Sequence, residues 1–375
     1  MNENEYIPNF LVSIQCMTYN HAPYIEDAMD GFCIQQTDFP YIAIICDDAS
    51  TDGESDVIRK YLDRYFAVSS SPEYQTWTDE EANYIFARHQ HNIQCYFLVV
   101  LLKSNYYSQK KDKSHLWEKW ESTANYIAIC EGDDYWIDPL KLQKQVNFLQ
   151  HNPDFGMCYT KAKILMNGVF VGESGTSDTS FMGLLYYSNF PTQTRVYRKS
   201  IWLDYINEIN PDMKGWMMGD YPFAFYVTIK SKILFIDECS SVYRFIEESA
   251  SHSNNINYLF KFYDSADDVR LYFIYYYIKD MRQRNYLVRC IKKQNLLYKL
   301  PKLLASKRIK EARDLYLQHS NVLSSYDKLK FGISTLSFTF YRMICILESY
   351  IYIFKKMIRE YKERAFFDKF AGQEV

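Results

Sequence analysis

The stretch YIAICEGDDYWIDPLKLQKQVNFL, residues 126–149, contains the signals that decide the fold. Residues 126–130 are a short apolar run with the composition of a buried strand. The acidic run 131–134 follows at once, and Asp138-Pro139 then begins a helix. The apolar positions at helical spacing are Leu142, Val146 and Leu149. A strand, an acidic turn and a helix in this order place the carboxylates at the end of a strand.

Two earlier segments have the same order. Residues 10–17 are an apolar run that ends in Thr18-Tyr19-Asn20, and residues 41–46 are an apolar run that ends in Asp47-Asp48. Each run precedes apolar residues at helical spacing. Strands that alternate with helices predict an α/β fold with a mostly parallel sheet. Ligands of such sheets bind where the carboxyl ends of the strands meet, so we expect the three polar clusters to form one site.

The rest of the chain divides into three kinds of segment. Residues 96–102 predict a further strand, and residues 155–172 predict a hairpin. Residues 67–95 are polar and irregular and predict a surface insertion. Beyond residue 256 the pattern is all helical, which indicates a domain boundary near 255.

Charge is distributed unevenly along the 375 residues. Residues 301–375 carry 14 Lys and Arg against 8 Asp and Glu, a net charge of +6, whereas the whole chain has −3. An acidic part that handles anionic substrates needs a bound cation, and a basic tail suits anionic lipid or a partner protein. Nucleic acid is not an expected partner.

The cysteines and the N-terminus indicate the compartment. Nine Cys, with no CxxC pair, predict reduced thiols. The first residues lack the positive start and apolar segment of a secretory signal, so we expect a cytoplasmic protein. Histidines such as His89 and His91 have no zinc-ligand spacing and are expected at the surface.

Asp133-Asp134 allows two interpretations from the residues alone. One is a solvated acidic turn, and the other is a site for Mg²⁺ or Mn²⁺, which one or two carboxylates hold where a diphosphate must be neutralised. Gly132 allows a close approach of backbone and ligand, and Trp136 is expected to line the sugar side of such a pocket.

Three motifs in order carry a resemblance to a known family. VSIQCMTYNHAPYIEDAMDGFCIQQ, then CDDASTDG, then residues 126–149 resemble family-2 glycosyltransferases with the A-type fold, over residues of about 9–255. Segment 67–95 departs from the compact pattern. The resemblance implies a catalytic domain at 1–255 with a helical region at 256–375. It implies an inverting enzyme that moves sugar from a UDP-sugar to a glycan or lipid-linked hydroxyl in bacterial capsule, O-antigen or exopolysaccharide synthesis.

The same resemblance implies roles for the donor-side residues. Thr18, Tyr19 and Asn20 would contact the nucleoside, with the Tyr19 ring on the base, although an ordinary packed tyrosine is the rival interpretation. Asp48, with Asp47, would accept from the uracil N–H. Asp133 would hold the ribose, and Asp134 would ligate Mn²⁺ or Mg²⁺.

Three further residues complete the implied site. Asp220, in Gly219-Asp220-Tyr221-Pro222, resembles the acidic general base, and a helix N-cap is the structural alternative. Arg244 would supply positive charge on the phosphate side. His252 is a candidate metal ligand, with a surface-loop histidine as the alternative.

The C-terminal region allows several interpretations. Residues 331–354 are apolar, but Arg342 and Glu348 interrupt the run, so a full membrane span is not expected. Lys355 and Lys356 follow, which fits a helix lying on the inner face of the cell membrane, a contact in a homo-oligomer, or a packed helix. The functional alternative for the whole chain is a non-catalytic nucleotide-binding or assembly subunit.

Overall fold

The chain divides into two compact units, Met1–Ser249 and Ala250–Val375. A computed structural model of the protein describes residues 8–67, 71, 73–246 and 253–371, with only the backbone at 353–354 and 357–371. The first unit contains a sheet flanked by helices, whereas the regular structure described in the second unit is helical.

Eleven strands lie in the described part of the first unit, and all of them join one sheet. The strands are β1 (Val12–Thr18), β2 (Tyr41–Asp47), β3 (Tyr74–Thr78), β4 (Ala82–Arg88), β5 (Cys95–Leu102), β6 (Tyr126–Ile129), β7 (Tyr135–Trp136), β8 (Phe155–Met166), β9 (Val169–Ser174), β10 (Val196–Arg198) and β11 (Lys232–Phe245). The helices are α1 (Ile25–Cys33), α2 (Glu54–Tyr65), α3 (Tyr106–Gln109), α4 (Lys141–His151), α5 (Phe181–Tyr186), α6 (Lys199–Ile209) and α7 (Asp220–Lys230).

The sheet has a parallel centre with antiparallel additions. Its order is β3-β4-β5-β2-β1-β6-β10-β8-β11-β7, and β9 pairs with β8. Strands β5, β2, β1 and β6 are parallel, whereas β4 and β10 run antiparallel to their neighbours. Thr18 at the end of β1 pairs with Asp47 at the end of β2, and Asp47 pairs with Leu101 of β5. The predicted α/β fold is confirmed, and its strand ends meet at one edge.

The central strands are buried on both faces because each face packs against its own layer. One face receives α1, α2 and α4 through side chains such as Phe32, Ile58 and Leu142. The opposite face is covered by aromatic side chains that include Phe86 and Trp120. Strands buried on both faces carry nearly continuous apolar runs, which is why these strands could be predicted. The nine cysteines form no disulfide in the structure.

The predicted irregular insertion at residues 67–95 is wrong for the residues that the structure describes. Strands β3 and β4 form an antiparallel hairpin, and β4 pairs with β5 along its whole length. The ring of Phe86 in β4 stacks on Trp120 at 4.4 Å, and Tyr84 stacks on Trp77 at 4.8 Å. β3 is an edge strand with polar residues between its aromatic ones, and this dilutes the apolar pattern expected of a strand.

The second unit has its own helical core. Its helices are α8 (Ile256–Tyr277), α9 (Met281–Ala305), α10 (Ile309–His319), α11 (Ser325–Ser334) and α12 (Phe338–Ala371). Leu300, Leu304 and Phe331 are buried together at the centre of α9, α10 and α11. The predicted all-helical region is confirmed over its described residues. Within these, no helix has the length and hydropathy needed to cross a membrane.

Candidate active site

The loops after β1 and β2 hold each other in place through Asn20. Its main chain has a φ of 57°, a left-handed conformation that asparagine tolerates better than most residues. The Asn20 N–H donates to Ser50 Oγ at 2.8 Å, and its Oδ1 accepts from the Thr51 N–H at 2.8 Å. Tyr19, the preceding residue, is 45% exposed. Asn20 is therefore engaged within the protein, whereas the Tyr19 ring is accessible to a ligand.

Asp47 and Asp48 are buried at the carboxyl end of β2, and both carboxylates already accept hydrogen bonds. Asp47 accepts from the N–H of Ser50 at 2.8 Å and from the hydroxyl of Ser55 in α2. Asp48 accepts from the N–H groups of Tyr106 and Tyr107 at 2.6 and 2.9 Å, and so fixes the first turn of α3. A nucleobase N–H would have to bind to a remaining lone pair of these oxygens.

The acidic loop after β6 brings three carboxylates together. Oxygen atoms of Glu131, Asp133 and Asp134 all lie within 4.8 Å of one another. Gly132 packs against Thr18 of β1, and its N–H donates to the Met17 carbonyl at 3.1 Å. The predicted closeness of the loop to the end of β1 is therefore present in the structure.

The three carboxylates differ in exposure. Asp134 is 2% exposed, and its Oδ1 accepts from the Arg244 N–H at 2.8 Å. Asp133 is half-buried, and Glu131 is open to solvent. The sequence assigned the metal to Asp134 and the ribose to Asp133, and the structure places Asp134 deepest, with its Oδ2 as the oxygen not bonded to Arg244.

Burial, with added repulsion between neighbouring carboxylates, raises the pKa values of Glu131 and Asp134. Burial, followed by the charges of Asp133 and Glu131, raises the pKa of Asp134 well above its usual range. Loss of hydration among the surrounding protein atoms, followed by the charges of Asp133 and Asp220, raises the pKa of Glu131 to about 7. Glu131 is surrounded by protein atoms, although its side chain is exposed to solvent. The influence of Asp220 shows that the candidate base lies within electrostatic range of the loop.

This cluster fits a divalent cation. Its ligand atoms are all carboxylate oxygens, which Mg²⁺ and Mn²⁺ accept. Repulsion from Asp133 adds to the effect of burial in raising the pKa values of Glu131 and Asp134. A bound cation would lower the free-energy cost of holding these carboxylates close together.

Arg244 clamps the acidic loop from β11. Its guanidinium donates to the Asp133 carbonyl at 2.8 Å and forms an ion pair with Asp27 of α1. It also lies 5.0 Å from the Tyr24 ring centroid and 4.6 Å from the Tyr135 ring centroid. The role on the phosphate side stays a prediction, and the observed contacts are those of a support for the loop.

Trp136 does not line a pocket as the sequence predicted. The residue is 2% exposed, its Nε1–H donates to the Gln193 carbonyl at 2.7 Å, and its ring lies 5.1 Å from Phe32. Pairing of β7 with β11 draws the residue into the core. Trp136 therefore supports the acidic loop from behind.

Asp220 is presented at the start of α7. The N-cap of this helix is Gly219, so Asp220 is the first helical residue and not the cap that was its structural alternative. Its Oδ2 accepts from Thr192 Oγ1 at 2.8 Å and lies 3.6 Å from Arg195 Nη2. The side chain is 42% exposed, so a substrate can reach it.

Sequence reasoning missed His21 and Glu54. His21 was grouped with the surface histidines, but its Nε2 lies 3.9 Å from Asp133 Oδ2 and its Nδ1 lies 3.2 Å from Thr18 Oγ1. Glu54, fully buried at the start of α2, accepts from the Thr18 hydroxyl and from the His21 N–H. The available signal was the position of His21 in the first motif, three residues after Thr18. The other histidine candidate, His252, lies outside the described residues.

Comparisons with known proteins found similarity to uncharacterized mycobacterial proteins and to one glucosyltransferase. No family model matches the chain. Uncharacterized proteins of Mycobacterium bovis and Mycobacterium tuberculosis are 29% identical over 238 residues, which is 62% of this chain and 58% of their own length. The UDP-Glc:alpha-D-GlcNAc-diphosphoundecaprenol beta-1,3-glucosyltransferase WfaP of Escherichia coli is 24% identical over 205 residues, 53% of this chain and 66% of that protein.

Solved structures add evidence on the fold. The structure of Staphylococcus aureus TarS 1–349 in complex with UDP-GlcNAc matches with a TM-score of 0.50 and 14% identity, over 89% of this chain and 90% of that chain. At this identity the similarity concerns the fold alone. The parallel centre of the sheet, its antiparallel additions and this match together show that the chain has the A-type glycosyltransferase fold.

Proposed function

We propose that the protein is a metal-dependent, inverting glycosyltransferase of family 2. It transfers sugar from a UDP-sugar to a hydroxyl of a glycan or lipid-linked acceptor in the synthesis of a bacterial surface polysaccharide. The observation that carries the proposal is the cluster of Glu131, Asp133 and Asp134 at the strand-end edge, with the separate carboxylate of Asp220 within electrostatic range. The name of the E. coli relative, which specifies a UDP-glucose donor and a diphosphoundecaprenol-linked acceptor, supports this choice of substrates.

The donor would bind across the loops after β1, β2 and β6. The exposed Tyr19 ring would stack on the base, with Thr18 beside it. Asp48, assisted by Asp47, would accept from the uracil N–H through a free lone pair. Asp133, the half-buried carboxylate, would hold the ribose.

The acidic loop would hold Mn²⁺ or Mg²⁺ through Asp134 with its neighbours. Such a cation neutralises the diphosphate as the bond to the sugar breaks. The protein supplies a loop whose carboxylates already repel one another, and in which the Asp133 carbonyl and the Asp134 carboxylate accept hydrogen bonds from Arg244. Metal binding therefore needs little rearrangement of the chain.

Asp220 would act as the general base. A carboxylate near the acceptor hydroxyl takes its proton as the oxygen attacks the anomeric carbon from the face opposite the diphosphate. The new glycosidic bond forms while the bond to the diphosphate breaks, and the nucleoside diphosphate leaves. This direct displacement inverts the anomeric centre.

Nucleotide release from a panel of nucleotide sugars tests the proposal. We expect the purified protein to release UDP slowly from at least one UDP-sugar with Mn²⁺, and to stop when the metal is chelated. The same donor should raise the thermal midpoint, because a ligand that binds only the folded state stabilises it. Donor stabilisation without any turnover, even with candidate acceptors, would favour the non-catalytic nucleotide-binding subunit.

We further propose that the second unit contacts the inner face of the cell membrane. On α12, Phe340, Met343, Leu347 and Tyr350 are exposed at spacings of three and four residues, which places them on one side of the helix. Glu348 lies away from this side and pairs with Lys330 of α11. Basic residues follow along α12, beginning with Lys355 and Lys356. An apolar helix side with nearby cations is the pattern of a helix that lies on anionic lipid.

A further inference from the structure

His21 lies beside the acidic cluster in the loop between β1 and α1. Its side chain is 23% exposed, and its Nε2 is 3.9 Å from Asp133 Oδ2. This distance is too long for a hydrogen bond between the two atoms. It does suit two ligands of one cation, since ligands at about 2.1 Å from the same ion lie about 3 to 4 Å apart.

A chain of hydrogen bonds behind the ring fixes which nitrogen carries the proton. The Thr18 hydroxyl has one hydrogen, and it donates this hydrogen to the buried carboxylate of Glu54. With Glu54 ionised, Thr18 Oγ1 accepts at 3.2 Å from His21 Nδ1, which then bears the ring hydrogen. In neutral histidine this leaves the lone pair on Nε2, the nitrogen that lies 3.9 Å from Asp133 Oδ2.

Glu54 makes this arrangement rigid. It also accepts from the His21 N–H and from Ser50 Oγ, each at 2.8 Å, so the backbone and the ring of His21 are held by the same network. Histidines that bind metals generally donate their other ring N–H to such a partner, which sets the tautomer and the ring direction. In this protein Thr18 is the partner of His21 Nδ1, and Glu54 accepts a hydrogen bond from Thr18.

We propose that His21 Nε2 is a nitrogen ligand of the cation held by the acidic loop. The inference rests on the proposed function, because it assumes that the acidic loop holds a metal, with Asp133 Oδ2 among its ligands and the other Asp133 oxygen left for the ribose. It adds a consequence for metal choice. Imidazole suits transition metals, whereas Mg²⁺ prefers oxygen, so the site should favour Mn²⁺ over Mg²⁺ and should owe this preference to His21.

Pulsed electron paramagnetic resonance of Mn²⁺ bound to the full-length protein tests the proposal directly. We expect a ¹⁴N coupling from a coordinated imidazole in the wild type, its loss in His21→Ala, and its retention in His115→Ala. His115 is a matched control because it is an exposed histidine paired with Glu81. Mn²⁺ affinity should fall about tenfold or more in His21→Ala, with a smaller change for Mg²⁺.

The other outcomes are separable. Bound Mn²⁺ without nitrogen coupling, or coupling that persists in His21→Ala, would overturn the role of His21 and leave the acidic metal site intact. Coupling lost only in His252→Ala would assign the nitrogen to that residue and equally overturn the proposal. If the wild type binds no Mn²⁺ with or without UDP, the metal site of the proposed function fails as well.

Discussion

Single side chains around the site are held by partners distant in sequence. Arg195, which is buried, donates to the Asp220 carbonyl at 2.9 Å and also binds the Phe190 carbonyl. Together with Thr192, it fixes the direction of the Asp220 carboxylate before any acceptor is present. This arrangement separates the orientation of Asp220 from its chemistry, so an isosteric substitution can test the chemistry alone.

Asp220→Asn should retain donor binding and lose transfer. Asparagine keeps an oxygen that can accept from Thr192, but it cannot take the acceptor proton. We expect the transfer rate to fall at least about 100-fold, with the donor dissociation constant changed less than about twofold. Initial rates and donor titrations measure the two quantities. Asp212→Asn, an exposed change in the turn before α7, is the control, and full transfer by Asp220→Asn would remove Asp220 from the mechanism.

Lys141 should make stability depend on pH. Burial lowers the pKa of Lys141 to about 7, and its Nζ donates to Gln145 Oε1 at 2.8 Å. In the unfolded chain the amine titrates near its usual, higher pKa. Burial of the charged amine therefore lowers the free energy of unfolding most below pH 7, and this loss shrinks by about 1.4 kcal/mol per pH unit above pH 7. Lys141→Met should therefore be more stable than wild type at pH 7, by a margin that shrinks toward pH 9.

Urea unfolding at several pH values measures this margin. Lys144→Met, one turn along α4 at the surface, removes ion pairs to Asp138 and Glu238 and should show no gain. A margin for Lys141→Met that stays constant from pH 7 to pH 9 would contradict the prediction.

At the scale of elements, the parallel strands and their helices were predictable and the hairpin was not. β2 and β5 are apolar at almost every position because both of their faces are covered, so composition alone marks them. β3 pairs on one side only, and its exposed Thr76 and Thr78 resemble a loop. Likewise, the burial of Trp136 depends on its pairing with Ser241, more than 100 residues away, which no local pattern contains.

Gly132 should be required for the contact between the acidic loop and β1. A Cβ at this position would lie 2.6 Å from the Cβ of Thr18, so the loop or the strand end would have to move. We expect Gly132→Ala to weaken Mn²⁺ and donor binding at least about tenfold, as measured by calorimetry. Gly172→Ala in β9 is the control, since nothing lies near its Cβ position. Unchanged binding by Gly132→Ala would show that the loop adapts.

At the scale of the whole molecule, charge and apolar surface are divided between the two units. Residues 301–375 have a net charge of +6, and α12 lies within them with its exposed apolar side. The first unit contains all of the candidate site residues that the structure describes. The charge of the sequence indicated this division. The exposed side of α12, however, is determined by the packing of α9 and α11 against its other residues.

Acidic substitutions on the apolar side of α12 should release the protein from lipid. We expect Met343→Glu with Leu347→Glu to abolish sedimentation with vesicles that contain an anionic phospholipid, because the apolar side is lost and negative charge repels the surface. Leu317→Glu on α10, also at an exposed leucine, should sediment like wild type. Wild-type protein that ignores anionic vesicles, or a double variant that still binds them, would contradict the membrane contact.

The acidic loop is anchored at two distant places in the sheet. It leaves β6 at the centre and enters β7, which pairs with β11 near the far edge, and Ile137 continues this anchoring by donating to the Ser240 carbonyl at 2.9 Å. Adding or removing one residue in such a connection would exchange the two faces of β7 and turn Trp136 toward solvent. The number of residues in this segment is therefore constrained by the pairing of β7. Homologous proteins should differ in the side chains of this segment before they differ in its length.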